Sequence, residues 1–191
     1  EMISIWIIST WEKFGKPEKI NIVELGPGDG SLIKILLNIS KKFPEFNSAK
    51  NIFLYETSNY LKKIKRANIK SDKIKWIKNF QNLGGAPVIF FGNEFFDAIP
   101  IKQFKKIQKK IYEKNYSLNN NYKIKETLKK ASKQDLKNIQ SFKVLKNLQF
   151  IEFPKSGFNE LKKIIKTISK LNGCLLKPDL GNSINCRFFN T

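Results

Sequence analysis

Apolar residues in this chain fall in short runs separated by longer stretches with helical spacing. Ile20-Asn21-Ile22-Val23, Asn51-Ile52-Phe53-Leu54-Tyr55 and Ile74-Lys75-Trp76-Ile77 read as strands. Pro87-Val88-Ile89-Phe90-Phe91 has no polar break and suits a central strand buried on both faces. Between them, Met2 to Trp11 carries Ile3, Ile5, Trp6 and Ile7 at mixed helical spacing, and Gly15-Lys16-Pro17 ends that helix. Its tryptophans suit a core. Ser31 to Lys42 repeats Leu32, Ile33, Leu36 and Leu37 on one helical face, and Phe43-Pro44 closes it. Tyr60 to Lys70 is lysine-rich, with Leu61 and Ile64 expected to face inward. Strands alternating with helices predict an α/β fold, a doubly wound and mostly parallel sheet.

Beyond Pro100 the period changes to two. Ile101, Gln103 and Lys105 alternate with Lys102, Phe104 and Lys106, and Ile111, Glu113 and Asn115 with Tyr112, Lys114 and Tyr116. Gln108-Lys109-Lys110 and Asn119 to Asn121 separate these runs, which predicts a hairpin or antiparallel additions. Residues 126–147 are polar and poorly patterned, and read as a solvated helix or mobile insertion. Phe150 to Pro154 is extended. Ser156 to Leu171 is an amphipathic helix with Leu161, Ile164, Ile165 and Ile168 inward, capped by Asn172-Gly173, and Cys174-Leu175-Leu176 is a further strand. The tail from Lys177 has no clear pattern.

A chain of 191 residues with 41% apolar content is long enough to bury one α/β core, so a single domain over residues 1–191 is expected. The net charge of +20 invites a nucleic-acid reading. The charge is nearly all lysine scattered through every segment, and Arg66 and Arg187 are the only arginines, so bidentate readout of phosphate or guanine is poorly supplied and nucleic acid is disfavoured. Histidine is absent and Cys174 and Cys186 are the only cysteines, which argues against a metal site or a histidine base. Reduced thiols in a cytosol-like compartment are the plainer reading of that pair, without secretion. The apolar run Ile3 to Ile8 is too short to span a bilayer, which takes about 20 residues.

The chemistry-bearing residues cluster at predicted strand ends. Glu24-Leu25-Gly26-Pro27-Gly28-Asp29-Gly30 follows the first strand directly and opens a helix near Ser31. Glycines at alternate positions keep side chains off a ligand, and the helix start offers free N–H groups. The spacing, with an acid two residues before the first glycine, is closer to the S-adenosylmethionine form of this turn than to the dinucleotide form. Glu24 either meets the amino group of the cofactor's methionine end or braces the loop. Glu56 ends the second strand, where an acid accepts ribose hydroxyls; its alternative is to start the next helix with Thr57 and Ser58. Asn93-Glu94-Phe95-Phe96-Asp97-Ala98-Ile99-Pro100 follows the most buried strand. Glu94 and Asp97 suit a planar cation such as guanidinium, with Phe95 or Phe96 as an apolar wall, against the alternative of a helix start capped by Asn93.

These segments, in this order, resemble the MidA-type methyltransferases. Glu24 to Leu32 is similar to the family's E-L-G-P-G-R-G-T-L, Tyr55-Glu56-Thr57-Ser58 to its V-E-x-S, and Asn93 to Pro100 to N-E-F-F-D-A-L-P, continued by Gln103-Phe104. The resemblance implies a class I methyltransferase fold, S-adenosyl-L-methionine as cofactor, and methylation of a protein arginine on a core subunit of respiratory complex I, in a mitochondrial matrix or a bacterial cytoplasm. It assigns Glu24, Gly26, Gly28, Gly30 and Glu56 to the cofactor, and Asn93, Glu94 and Asp97 to the methyl-accepting group. Asp29 departs from it by standing where arginine is usual. Both ends depart as well, so a chain truncated at each end is expected. Two rival functions stay open: a cofactor-binding assembly module without catalysis, and a nucleic-acid methyltransferase.

Overall fold

The computed structural model describes residues 1–68, 74–177 and 185–188, and resolves two compact units where the sequence reads as one domain. The first comprises residues 1–95 and the described residues from Leu161 on; the second is Phe96–Glu160. Each has its own sheet and its own core, which is the physical reason for the division.

The first unit holds α1 (Met2–Lys13), β1 (Ile20–Leu25), α2 (Ser31–Ser40), α3 (Pro44–Ala49), β2 (Lys50–Tyr55), α4 (Asn59–Asn68), β3 (Ile74–Ile77) and β4 (Val88–Phe91). After the second unit it resumes with most of α6 (Lys155–Leu171), then β9 (Cys174–Lys177) and β10 (Asn185–Phe188). The sheet order is β10-β9-β4-β1-β2-β3, parallel throughout except that β10 runs antiparallel to β9. Every residue of β1 and β4 is buried, as the centre of a sheet covered on both faces requires; β4 is an unbroken apolar run, and β1 buries Asn21 and Glu24 among its apolar residues. The register Ile22↔Ile52, Ile22↔Ile89 and Ile52↔Ile74 builds one continuous apolar face, on which Ile7, Ile8, Trp11, Ile33, Leu36 and Phe46 pack. Trp11 also donates its indole N–H to the Pro17 carbonyl at 3.0 Å, satisfying the one polar atom of a buried ring.

Three expectations change here. Phe43-Pro44 does not simply end a helix: Pro44 starts α3, because a proline at the first helical position loses no hydrogen bond, and α3 buries Phe46 and Ala49. Leu61 on α4 is 41% exposed rather than inward, while Ile64's side chain and the end of that predicted helix at Lys70 lie outside the described residues. The patternless tail contains β10, whose backbone pairing with β9 a local reading of the sequence cannot register.

The second unit carries β5 (Lys102–Ile107), β6 (Lys110–Leu118), β7 (Ile124–Lys130), α5 (Lys133–Gln140), a 3-10 helix (Lys143–Asn147), β8 (Phe150–Phe153) and the first turns of α6. Its sheet is wholly antiparallel, in the order β7-β6-β5-β8. Gln108 and Lys109 both have positive φ, the backbone of a two-residue hairpin turn whose twist matches its strands. The segment 126–147, read as a solvated helix or mobile insertion, supplies the end of β7, α5 with one side exposed, and the 3-10 helix, while its Ala131 and Ile139 join Phe104, Ile151 and Phe153 in the core. Two buried apolar side chains in a polar stretch are too few to produce a legible hydrophobic period.

Among the described residues no helix is long and apolar enough to cross a membrane.

Candidate functional site

Parallel strands end on one edge of their sheet, and that edge collects the first unit's candidate residues. Glu24 pairs with Leu54 on β2 and Phe91 on β4, and Leu25 with Tyr55. The Gly26 N–H donates to the Tyr55 carbonyl at 3.1 Å, carrying the ladder one step past the strand, and the Glu56 N–H donates to the Ile77 carbonyl at 3.2 Å. The strand tips at 24–26, 55–56 and 91–94 are therefore neighbours.

The glycine turn is built as its sequence requires. Gly26, Gly28 and Gly30 all have positive φ, which a side chain would strain. Around the Cβ position of Gly28 there is open space, whereas a Cβ on Gly26 would lie 3.0 Å from the Phe95 ring. Gly30 is the residue before α2 and Gly30 N–H closes the turn on the Pro27 carbonyl at 2.7 Å. Asp29, the departure from the family pattern, has a local role: its Oδ1 accepts the Ser31 N–H at 2.9 Å, and that bond holds its carboxyl below the usual range. It closes a side-chain turn onto the first residue of α2.

Glu24 and Glu56 are both buried, at 3% and 8% exposure. Two carboxylates withdrawn from water at adjacent strand ends are costly unless polar or cationic groups meet them, and a methionine ammonium and ribose hydroxyls are groups of that kind. Glu56 Oε1 accepts the Ser58 N–H at 2.9 Å, so the residue does organise the start of α4 as its alternative reading held. A carboxylate offers about four acceptor sites, so that role does not exclude ribose binding. The donor set and the open backbone at Gly28 fit an adenosyl cofactor.

Asn93-Glu94 leaves β4 in a bend rather than a helix, so the capped-helix alternative for this motif is not what forms. Glu94 has φ +51, a left-handed conformation that a glutamate adopts at a cost of order 1 kcal/mol. Asn93 and Glu94 are exposed. Phe95, one of the two rings expected as an apolar wall, lies at the glycine turn: its ring packs over Gly26 and edge-on to Tyr55, with centroids 6.1 Å apart. Gly92 is equally constrained, since a Cβ there would sit 2.8 Å from the Leu25 carbonyl oxygen. The boundary between the units falls between Phe95 and Phe96, so Asp97 belongs to the second unit, where it is exposed. Among the described residues no group of three or more His, Cys, Asp or Glu side chains could hold a metal.

Comparison with known proteins agrees with this arrangement. Residues 2–187 match the family Methyltransf_28, described as "Putative S-adenosyl-L-methionine-dependent methyltransferase". The mitochondrial protein arginine methyltransferase NDUFAF7 of Xenopus laevis is 29% identical over 132 residues, covering 56% of this chain and 30% of the relative. Its human counterpart is 25% identical over 130 residues with the same coverage. The chain thus spans about a third of the length of these relatives. A crystal structure of a COG1565 superfamily member from Burkholderia thailandensis, bound to S-adenosyl-homocysteine, superposes with a TM-score of 0.62 at 15% identity, covering 90% of this chain and 44% of that one; it supports the fold. Since the family match runs almost end to end, this chain belongs to the S-adenosyl-L-methionine-dependent methyltransferase family that includes residues 2–187 in its pattern.

Proposed function

We propose that the chain transfers a methyl group from S-adenosylmethionine to an arginine of a protein substrate. The observation that carries this reading is the meeting of the glycine turn with two buried carboxylates, Glu24 and Glu56, on adjacent parallel strand ends. When bound, the cofactor supplies an electrophilic methyl on a sulfonium. Glu56 accepts hydrogen bonds from its ribose hydroxyls, Glu24 offsets the ammonium of its methionine end, and Gly26, Gly28 and Gly30 let the backbone approach. Phe95 walls the first glycine. Asn93, Glu94 and Asp97 orient the substrate guanidinium through paired hydrogen bonds and offset its charge as the proton leaves. Rate then comes from alignment of the reactants, and no protein nucleophile is needed.

The arginine acceptor is supported by the names of the relatives and by two carboxylates in the N-E-F-F-D segment. A complex I core subunit as substrate extends the reading by the family resemblance alone, and a matrix or bacterial-cytoplasmic setting is in keeping with relatives named as mitochondrial. Calorimetry with S-adenosylmethionine and radiolabel transfer onto protein from a lysate test it together. E94Q/D97N is expected to abolish transfer while the cofactor still binds; transfer retained in that variant refutes the acceptor assignment. Binding without transfer by the unaltered chain would instead favour an assembly module, and label appearing on nucleic acid would favour the third reading.

A further inference from the structure

The connection from β3 to β4, residues 78–87, crosses the sheet in bends and turns with no helix. It covers the sheet with Phe80, whose ring meets Tyr55 at 4.7 Å and Phe90 at 4.9 Å, and with Leu83. So thin a cover leaves a cleft of about 450 Å³ between this connection and α6. Its floor is apolar, Leu83 and Leu171, and its rim carries Lys78, Lys163, Lys166 and Lys170. No carboxylate lines it, nor does any residue of the glycine turn, Glu56, Asn93 or Glu94. A second basic hollow, lined by Lys62 and Lys63, shares Lys78 with it.

Lys163, Lys166 and Lys170 stand three and four residues apart on one helix, the spacing at which like charges repel. Among the described residues Lys78, Lys166 and Lys170 make no ion pair. A concave site with a dry floor and a lysine rim, three of whose members (Lys78, Lys166 and Lys170) enter no ion pair among the described residues, gains most from a ligand that brings both apolar groups and carboxylates. Nucleic acid is the poorer match, because the cleft's one aromatic ring, Phe80, is only 9% exposed and offers no stacking face.

We propose that this cleft docks an acidic peptide segment, its leucine-like side chains on Leu83 and Leu171 and its carboxylates on Lys78, Lys166 and Lys170. The inference stands on the cleft and does not depend on the methyl-transfer reading.

Fluorescence anisotropy of a labelled peptide alternating glutamate and leucine, titrated with the whole chain, tests it. Binding is expected, weakening roughly tenfold or more in K78E/K166E/K170E and by an intermediate factor in the milder K78Q/K166Q/K170Q, with circular dichroism confirming that each folds. The control K13E/K41E/K42E, equal in charge change, is expected to bind as the unaltered chain does; an equal loss there would reduce the effect to net charge and overturn the proposal. A peptide with serine for leucine should bind more weakly, and equal affinity would remove the apolar floor from the account. Tighter binding of a single-stranded oligonucleotide or a phosphatidylserine vesicle through the same lysines would overturn the peptide assignment. S-adenosylhomocysteine should leave peptide affinity unchanged; displacement would merge the cleft with the cofactor site and overturn it as a separate one.

Discussion

The two units reach stability by different routes. In the first, sheet strands are covered on both faces, the core runs from α1 to β9, and its fit is close enough that backbone meets backbone. Gly173 marks the limit: a Cβ there would lie 2.2 Å from the Val88 carbonyl oxygen. The second unit has an antiparallel sheet with one strongly exposed strand pair, and Tyr116, Leu118 and Ile124 lie 57%, 66% and 75% open to water. Its core is smaller, and a polar centre ties it together. Asp135, with 1% of its side chain exposed, accepts from Lys102 at 2.9 Å, Lys155 at 2.8 Å and the Ser132 hydroxyl at 2.7 Å, and its own N–H donates to Ser132 Oγ. Three elements, β5, α5 and the start of α6, are thereby joined by one carboxylate. Packing geometry governs the first unit, and hydrogen-bonded charge the second.

That contrast breaks most sharply at Gly173. G173A should cost about 3 kcal/mol or more, since backbone atoms cannot step aside as a side chain does, and hydrogen exchange should show protection lost across β4 and β9 while the second unit keeps its own. D135A is next, at about 2 kcal/mol, from the lost buried hydrogen bonds of the carboxylate to Lys102, Lys155 and the Ser132 hydroxyl, with the protection lost in residues 96–160 instead. Loss spread evenly over both units in either variant would refute the division.

Acid sharpens the comparison further. Burial raises the Asp135 pKa, yet hydrogen bonds from Lys155, Ser132 and Lys102 outweigh it and bring the group from 3.8 to about 2. A carboxyl depressed on folding stabilises above its unfolded value and loses that contribution as pH falls through the folded one. The second unit should therefore weaken selectively between about pH 4 and pH 2, and D135A should remove that selectivity in a pH series of exchange experiments. The smallest effect is expected at I124T, on the open sheet face, within about 0.5 kcal/mol by urea denaturation.

The glycine turn, Glu56 and the N-E-F-F-D-A-I-P segment were legible because each is local: the chemistry needs certain residue types within a few positions of a strand end. The Asp135 centre was not legible. Residues 126–147 read only as a polar stretch, and the lysines that meet Asp135 come from 33 and 20 residues away. Phe95 against Gly26 was named only as one of two walls, since which ring turns inward depends on the bend after β4.

The sequence by itself determined the elements whose cause is a period or a turn residue: the parallel strands, the hairpin at Gln108-Lys109, the cap at Asn172-Gly173. Only tertiary structure decided that residues 96–160 close a core of their own, that a polar stretch lends it Ala131 and Ile139, and that a crossing without a helix leaves a basic cleft. Local backbone preference is written within a few residues, whereas burial and charge pairing depend on which distant segments a fold brings side by side.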